Sequence, residues 1–421
     1  MTLVVNTIVI QLIAVAIAVY GLAYKALQER RRRSLVRMYG CLPVTRLDQK
    51  DPLLGLDMLK GDFDAFKSKT FLRTLQEKHA EHGTTWAYRT MGRLTVNSIE
   101  PENFNAVLSK SNDCFELGRN RMDAVEPGIE HGLLTVDGSM WRNARKLTQP
   151  GFNPRILHRV PYEKLVQKLL DKLPSDRSTP VDLHQLFGRF TIDATSELVF
   201  GHSLDVQALP DGSKEASEIE AAFEGVLKRV EDLLTRGIAA LWFPGKGHRA
   251  GLQRITDYID SEIKTALAKS TDEKTSASQC MVDLLSLQTR EKTVIRGQLS
   301  HIVIAGRDTT ASLLSHLFFE LASHPEVWSK LRDEVATLKG QPPELSELAR
   351  FPYLRACLDE ALRMYPAAPF INRRATSDVV LPRGGGADGQ APMLLRKGEE
   401  ITFQLYVMHR REEYFGPNTE D

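Results

Sequence analysis

Cysteine is scarce in this chain: four in 421 residues, at positions 41, 114, 280 and 357, none in CxxC or CxxH spacing. That scarcity argues against a disulfide framework and a structural zinc site, and it fits a reducing compartment. A surplus of either charge is missing as well, with 55 Lys and Arg against 54 Asp and Glu. Neither a nucleic-acid surface nor an acidic tail is therefore expected. No GK[ST] and no helical pattern follow the glycine-rich LPRGGGADGQAP at 381–392, so this stretch reads as a turn and not as a phosphate loop. Internal repeats are absent. What is present, 42% hydrophobic residues, is enough to fill the core of one large domain or of two to three smaller ones.

Charge is missing altogether from Thr2 to Tyr24, and Lys25 and the block Arg30 to Arg33 follow. The uncharged run is long enough to span a bilayer. The basic block after it is expected on the cytosolic side, leaving a very short amino terminus across the membrane. A cleaved signal peptide is the competing reading, but this run exceeds an h-region and its basic cluster lies after it. Residues 1–25 are therefore read as an uncleaved signal anchor, 26–52 as a basic, proline-containing linker and 53–421 as the folded domain.

Along that domain a helix is expected over Thr70 to Glu81, ending at Gly83, then a hairpin of Thr85–Thr90 and Arg93–Ile99 around Met91-Gly92. A short helix should follow Pro101. Ser139 to Phe152 reads as helical until Pro150, with Asp137 or Ser139 as its cap. Helical periodicity continues from Tyr162 to Leu287 with breaks near Pro174, Pro210 and Pro244-Gly245. A proline-free run from Thr293 to Ser323 predicts one long helix of roughly 45 Å, and two further helices follow, the second over Phe351 to Tyr365. Alternation at Ile401, Phe403, Leu405 and Val407 is a strand signal. The fold class is mainly α with a small β-sheet.

Three constellations carry chemistry. In the middle of the long helix stands AGRDTT, Ala305 to Thr310, where a glycine, an acid and two alcohols replace good helix formers. Thr309 lies four residues after Ala305, so its hydroxyl is placed to bond the Ala305 carbonyl and open the helix into a polar notch, with Asp308 beside it. A solvent-facing patch on an amphipathic helix explains the same residues. Glu360 and Arg363 share a helix face and suit a bidentate pair, or an exposed ion pair of little worth. Trp141 and Arg145, one turn apart, suit an anionic ligand or equally a helix packed at the surface.

In this order and spacing, WxxxR (Trp141, Arg145), AGRDTT and ExxR (Glu360, Arg363) resemble the cytochrome P450 family of haem-thiolate monooxygenases. The resemblance covers essentially the whole chain. An amino-terminal anchor with a basic stop and a short linker resembles the microsomal class. AGRDTTASLLS and LPRGGG-x-DG-x-AP look most like the fungal group that hydroxylates alkanes and fatty acids. The resemblance implies a P450-like fold on the cytosolic face of the endoplasmic reticulum membrane, single-pass, with haem b as cofactor. It also implies NADPH-cytochrome P450 reductase as electron donor and a lipophilic small molecule as substrate; no nucleic-acid partner is expected. By the same resemblance Trp141, Arg145 and Arg374, with Arg373 as a substitute, bind haem propionates. Ala305 and Gly306 lie over the haem face, Asp308 and Thr309 deliver protons to iron-bound dioxygen, and Glu360 with Arg363 is a buried structural pair.

The chain departs from the family at one point. The axial cysteine belongs to a loop of the type FxxGxRxCxG well downstream of the ExxR helix, and the sequence ends at HRREEYFGPNTED before such a loop. It also ends before the segment whose arginine completes the Glu–Arg cluster. No metal ligand is assigned within the chain, because Cys41, Cys114, Cys280 and Cys357 all lie outside that motif. The expectation is a monooxygenase truncated before its haem-binding cysteine loop; the alternative is a catalytically inactive, membrane-anchored product. Apolar segments near Phe115 to Met122 and Phe223 to Phe243 are expected to roof a lipophilic pocket, or to be ordinary core.

Overall fold

The computed structural model describes residues 2–118, 130–176, 178–236, 248–269 and 280–419. The chain divides into two compact units, one of residues 1–116 with 370–408 and one of 117–369 with 409–421.

The first unit holds the sheets. Strands β1 (Thr45–Arg46), β2 (Thr85–Thr90), β3 (Arg93–Ser98), β4 (Phe115–Glu116), β5 (Ile371–Ala375) and β8 (Glu400–Phe403) form one sheet in the order β1-β2-β3-β8-β5-β4. Strands β6 (Val379–Gly385) and β7 (Ala391–Leu395) form a separate ribbon. The hairpin β2–β3 pairs Thr90 with Arg93 across a two-residue turn, with Met91 at φ 50 and Gly92 at φ 77. That left-handed pair is the turn whose twist matches antiparallel strands. Apolar side chains from both ends of the sequence, among them Leu75, Val96, Ile401 and Phe403, make one core.

Around it run α1 (Thr2–Tyr39), α2 (Leu56–Lys67) and α3 (Phe71–His82). Helix α3 starts after Thr70 and stops at Gly83 (φ 87), as expected. Helix α1 continues through the arginine block to Tyr39, and its side chains are described from Ile13 onward. Among the described residues no helix is long and apolar enough to cross a membrane; the side chains of the first half of the expected span lie outside them.

Strand β8 is shorter than the alternation implies. It ends at Phe403, and Leu405–Met408 is a helical turn. The Gln404 carbonyl accepts from both Val407 N (3.1 Å) and Met408 N (2.8 Å). The buried Gln404 side chain is held by His79 and Asn97, which fixes the bend.

The second unit is helical: α4 (Gly138–Thr148), α5 (Tyr162–Leu170), α6 (Leu183–Phe200), α7 (Lys214–Arg236), α8 (His248–Ala268), α9 (Met281–Gln288), α10 (Lys292–Ser323), α11 (Pro325–Ala336) and α12 (Pro352–Met364). The breaks at Pro174 and Pro210 fall as expected, whereas Pro244-Gly245 lies outside the described residues. Asp137 occupies the cap position of α4 but does not cap it. Its carboxylate instead accepts from Leu117 N (2.8 Å) and Gly118 N (3.2 Å), tying these two residues to the start of α4. Helix α10 is central, packing along α6 and against α8, α9 and α12. The core beside it is built from Ile295, Leu299, Ile302 and Val303 with Val199, Ile259 and Leu285.

Candidate active site

Helix α10 is one unbroken α-helix of 32 residues, about 48 Å at ~1.5 Å per residue. The Thr309 hydroxyl donates to the Ala305 carbonyl at 2.8 Å, the bond expected from the spacing. The opening expected with it does not occur. A carbonyl oxygen has two lone pairs, so a hydroxyl can share it without displacing a backbone N–H.

Asp308 is three-quarters buried, and its Oδ1 accepts from Arg307 Nη1 at 2.8 Å. Burial pushes the Asp308 carboxyl above the usual range although Arg307 pulls the other way. The Arg307 guanidinium is itself largely buried, lying 5.5 Å over the Phe223 ring. Gly306 has a packing reason. A Cβ there would meet Thr195 Oγ1 on α6 at 2.7 Å, so only glycine lets the helices approach this closely.

Two residues one turn upstream escaped the motif reading. Gln298 Oε1 accepts from Leu133 N (3.1 Å), and His301 Nδ1 accepts from Leu134 N (3.0 Å). His301 Nε2 then donates to the Glu130 carbonyl at 3.0 Å. With both ring nitrogens used and the ring buried, desolvation lowers its pKa to about 4. The helix thereby holds the segment 130–134. The available signal was two polar side chains, three apart, inside the apolar run QLSHIVI.

On α4, the Arg145 guanidinium lies 5.3 Å over the Trp141 ring. Trp141 is partly buried and Arg145 exposed, so a cation and an indole N–H share one face. On α12, Arg363 Nε and Nη2 each donate to Glu360 at 2.7 Å, a bidentate pair. The pair is only half-buried: Arg363 is 8% exposed and Glu360 52%. Arg363 Nη1 also donates to the His409 and Thr419 carbonyls at 3.0 Å each. This arginine therefore binds the carboxy-terminal stretch as well as its partner acid. Arg374 belongs to the first unit, on β5, with Nε and Nη2 both directed at Glu116 Oε1. Arg373 donates to the Asn372 carbonyl.

The four cysteines are free. Burial pushes the Cys280 thiol up to about 12, and Sγ donates to Asp283 at 3.2 Å. Burial also raises Cys41 and Cys357. Cys114 is half-buried beside the first unit's core. Of the expected pocket roof, Phe115 and Phe223 are core residues, and 119–122 and 237–243 lie outside the described residues.

A family model described as Cytochrome P450 matches residues 59–421. The chain is 35% identical to the cytochrome P450 monooxygenase himC of Aspergillus japonicus, over 96% of this chain and 74% of that protein. It is 32% identical to cytochrome P450 52C2 of Candida maltosa, over 94% and 82%. With cytochrome P450 52A12 of Debaryomyces hansenii it shares 31% identity, over 95% and 80%.

Proposed function

The chain belongs to the cytochrome P450 family, and on that premise we propose that it serves a haem monooxygenase reaction inserting one atom of dioxygen into a lipophilic molecule. A fatty acid or an alkane is the proposed substrate class, and NADPH-cytochrome P450 reductase the electron donor. The observation that carries the residue assignment is the Thr309 hydroxyl on the Ala305 carbonyl, beside a carboxyl whose proton affinity burial has raised. Asp308 takes up protons and Thr309 passes them on; Ala305 and Gly306 would lie over the haem face.

Trp141 and Arg145 suit the propionates of haem b. Their N–H groups share a face, and Arg145 forms no ion pair among the described residues. For Arg374 the same role requires release from Glu116. The thiolate side does not fit. A thiolate ligand needs a thiol whose pKa is held down; burial holds Cys41, Cys280 and Cys357 up, and Cys114 stands in NDCFELG, outside the family's loop pattern. That mismatch supports a second reading, in which the 421-residue chain is catalytically inactive.

One experiment separates the two. The chain is supplied with haem, reduced and exposed to carbon monoxide. The second reading expects no red-shifted band of thiolate-ligated haem; such a band, lost on replacing one cysteine, sinks it. If the band is present, Thr309→Ala with reductase and a fatty acid should consume NADPH without matching product. Unchanged coupling would remove Thr309 from its role.

We also propose residues 1–25 as a single-pass anchor in the endoplasmic reticulum membrane, 26–52 as the connection and 53–421 as the cytosolic catalytic domain. Its support is the apolar face α1 leaves uncovered, where Ile17 is 66% and Tyr20 74% exposed.

A further inference from the structure

The four consecutive arginines of α1, Arg30 to Arg33, do not behave alike. Arg30, Arg31 and Arg33 are exposed, and Arg32 turns inward with Gln28, Leu35 and Val36, which are spaced along one helical face. Arg32 Nε donates to Asp378 Oδ2 at 2.8 Å and Nη2 to Oδ1 at 3.1 Å. Asp378 is 7% exposed and also accepts from Lys397 N at 2.8 Å. A bidentate pair on a buried carboxylate is a strong, directional contact, unlike a surface ion pair. Each charge favours the other: the bond to Asp378 holds the Arg32 guanidinium above its ordinary pKa, and the Asp378 carboxyl, despite its burial, is held below the usual range by Arg32 and the Lys397 N–H.

Beyond the pair, the chain leaving α1 is bonded into the β6–β7 ribbon. Leu42 N donates to the Pro392 carbonyl (2.9 Å), Gly386 N donates to the Pro43 carbonyl (3.0 Å), and Val44 bridges to Gly385. Cys41 is buried between these contacts. The last three turns of α1 are thus docked, and the helix is continuous from them to Thr2.

We propose that α1 is a rigid strut, clamped to the β6–β7 ribbon by Arg32 and Asp378, that fixes the pose of the first unit at a lipid surface. The lipid part rests on the anchor reading given above; the clamp does not. Lys25 and Arg32 are seven residues apart, roughly 10 Å along a helix, about one screening length at physiological salt. The ribbon accordingly stands close to the headgroups, and Arg30, Arg31 and Arg33 face outward to anionic lipid. A flexible leash would allow neither a fixed distance nor a fixed tilt.

The test uses the full chain on vesicles of phosphatidylcholine and phosphatidylserine, with Arg32→Ala, Asp378→Asn and the charge swap Arg32→Asp with Asp378→Arg. Flotation reports anchoring, amide exchange in 28–39 reports the clamp, and energy transfer from a dye at the exposed Ala387 to labelled headgroups reports the pose. Both single variants should float like the wild type, exchange roughly tenfold faster over 28–39, and lose the narrow transfer distance; the swap should restore both. Unchanged exchange in Arg32→Ala overturns the clamp, and faster exchange with an unchanged transfer distance overturns the strut. Failure of the wild type to float removes the anchor instead, and exchange on the lipid-free chain still decides the clamp.

Discussion

His301 is a neutral imidazole built into the central helix, and that has a cost in acid. Its folded pKa of about 4 lies below the 6.5 of an ordinary histidine, so the folded chain binds fewer protons than the unfolded one between these values. Its contribution is whole above about pH 6.5 and is lost as the pH falls towards 4, in all about 3 kcal/mol. Denaturant midpoints measured from pH 7 to pH 4 should fall, and His301→Gln should flatten that slope while lowering stability at pH 7. Gly306 makes a second prediction. Gly306→Ala forces a methyl into Thr195 and should cost about 1–3 kcal/mol; Thr195→Ala, which removes Oγ1 and Cγ2, should recover most of it in a double-mutant cycle. Neither residue was legible for its real role. AGRDTT drew attention to Gly306 as a residue over the haem face, whereas its tight neighbour Thr195 sits over a hundred positions away, which no local pattern reports.

At the scale of elements the sequence carried more. Gly83, the Met91-Gly92 turn and the prolines that open α11 and α12 end or start elements by backbone geometry alone, so those boundaries follow from residue type. The alternation running on to Val407 misled because Gln404 bends the chain through partners at positions 79 and 97. Asp137 misled for the same reason: its carboxylate found two N–H groups twenty residues back. Spacing did locate the Glu360–Arg363 pair, but not the segment that Arg363 holds. Arg363→Ala strands the His409 and Thr419 carbonyls and should cost about 2 kcal/mol. Amide exchange should then rise over 409–419 before it rises in α10. Arg363→Lys should not rescue it, since an ammonium cannot serve Glu360 bidentately and both carbonyls as well. Equal protection in all three chains would show that the segment holds itself.

For the molecule as a whole, the motifs named the family, and the family does not depend on any one of them. What the sequence did not disclose is the division into two units, because the first is closed only by pairing strands over three hundred residues apart, as Val96 with Ile401. Deleting residues 1–25 should move the protein from the membrane pellet to the supernatant; persistence in the pellet would place the membrane contact elsewhere. The burial of two thiols has a practical consequence. Cys41 lies in the first unit at 6% exposure and Cys280 in the second at 2%, and a protonated, covered thiol is not alkylated. Each unit therefore carries its own sealed clock. Pulses of a maleimide during heating, with the modified peptides counted separately, record when each unit opens without any introduced cysteine.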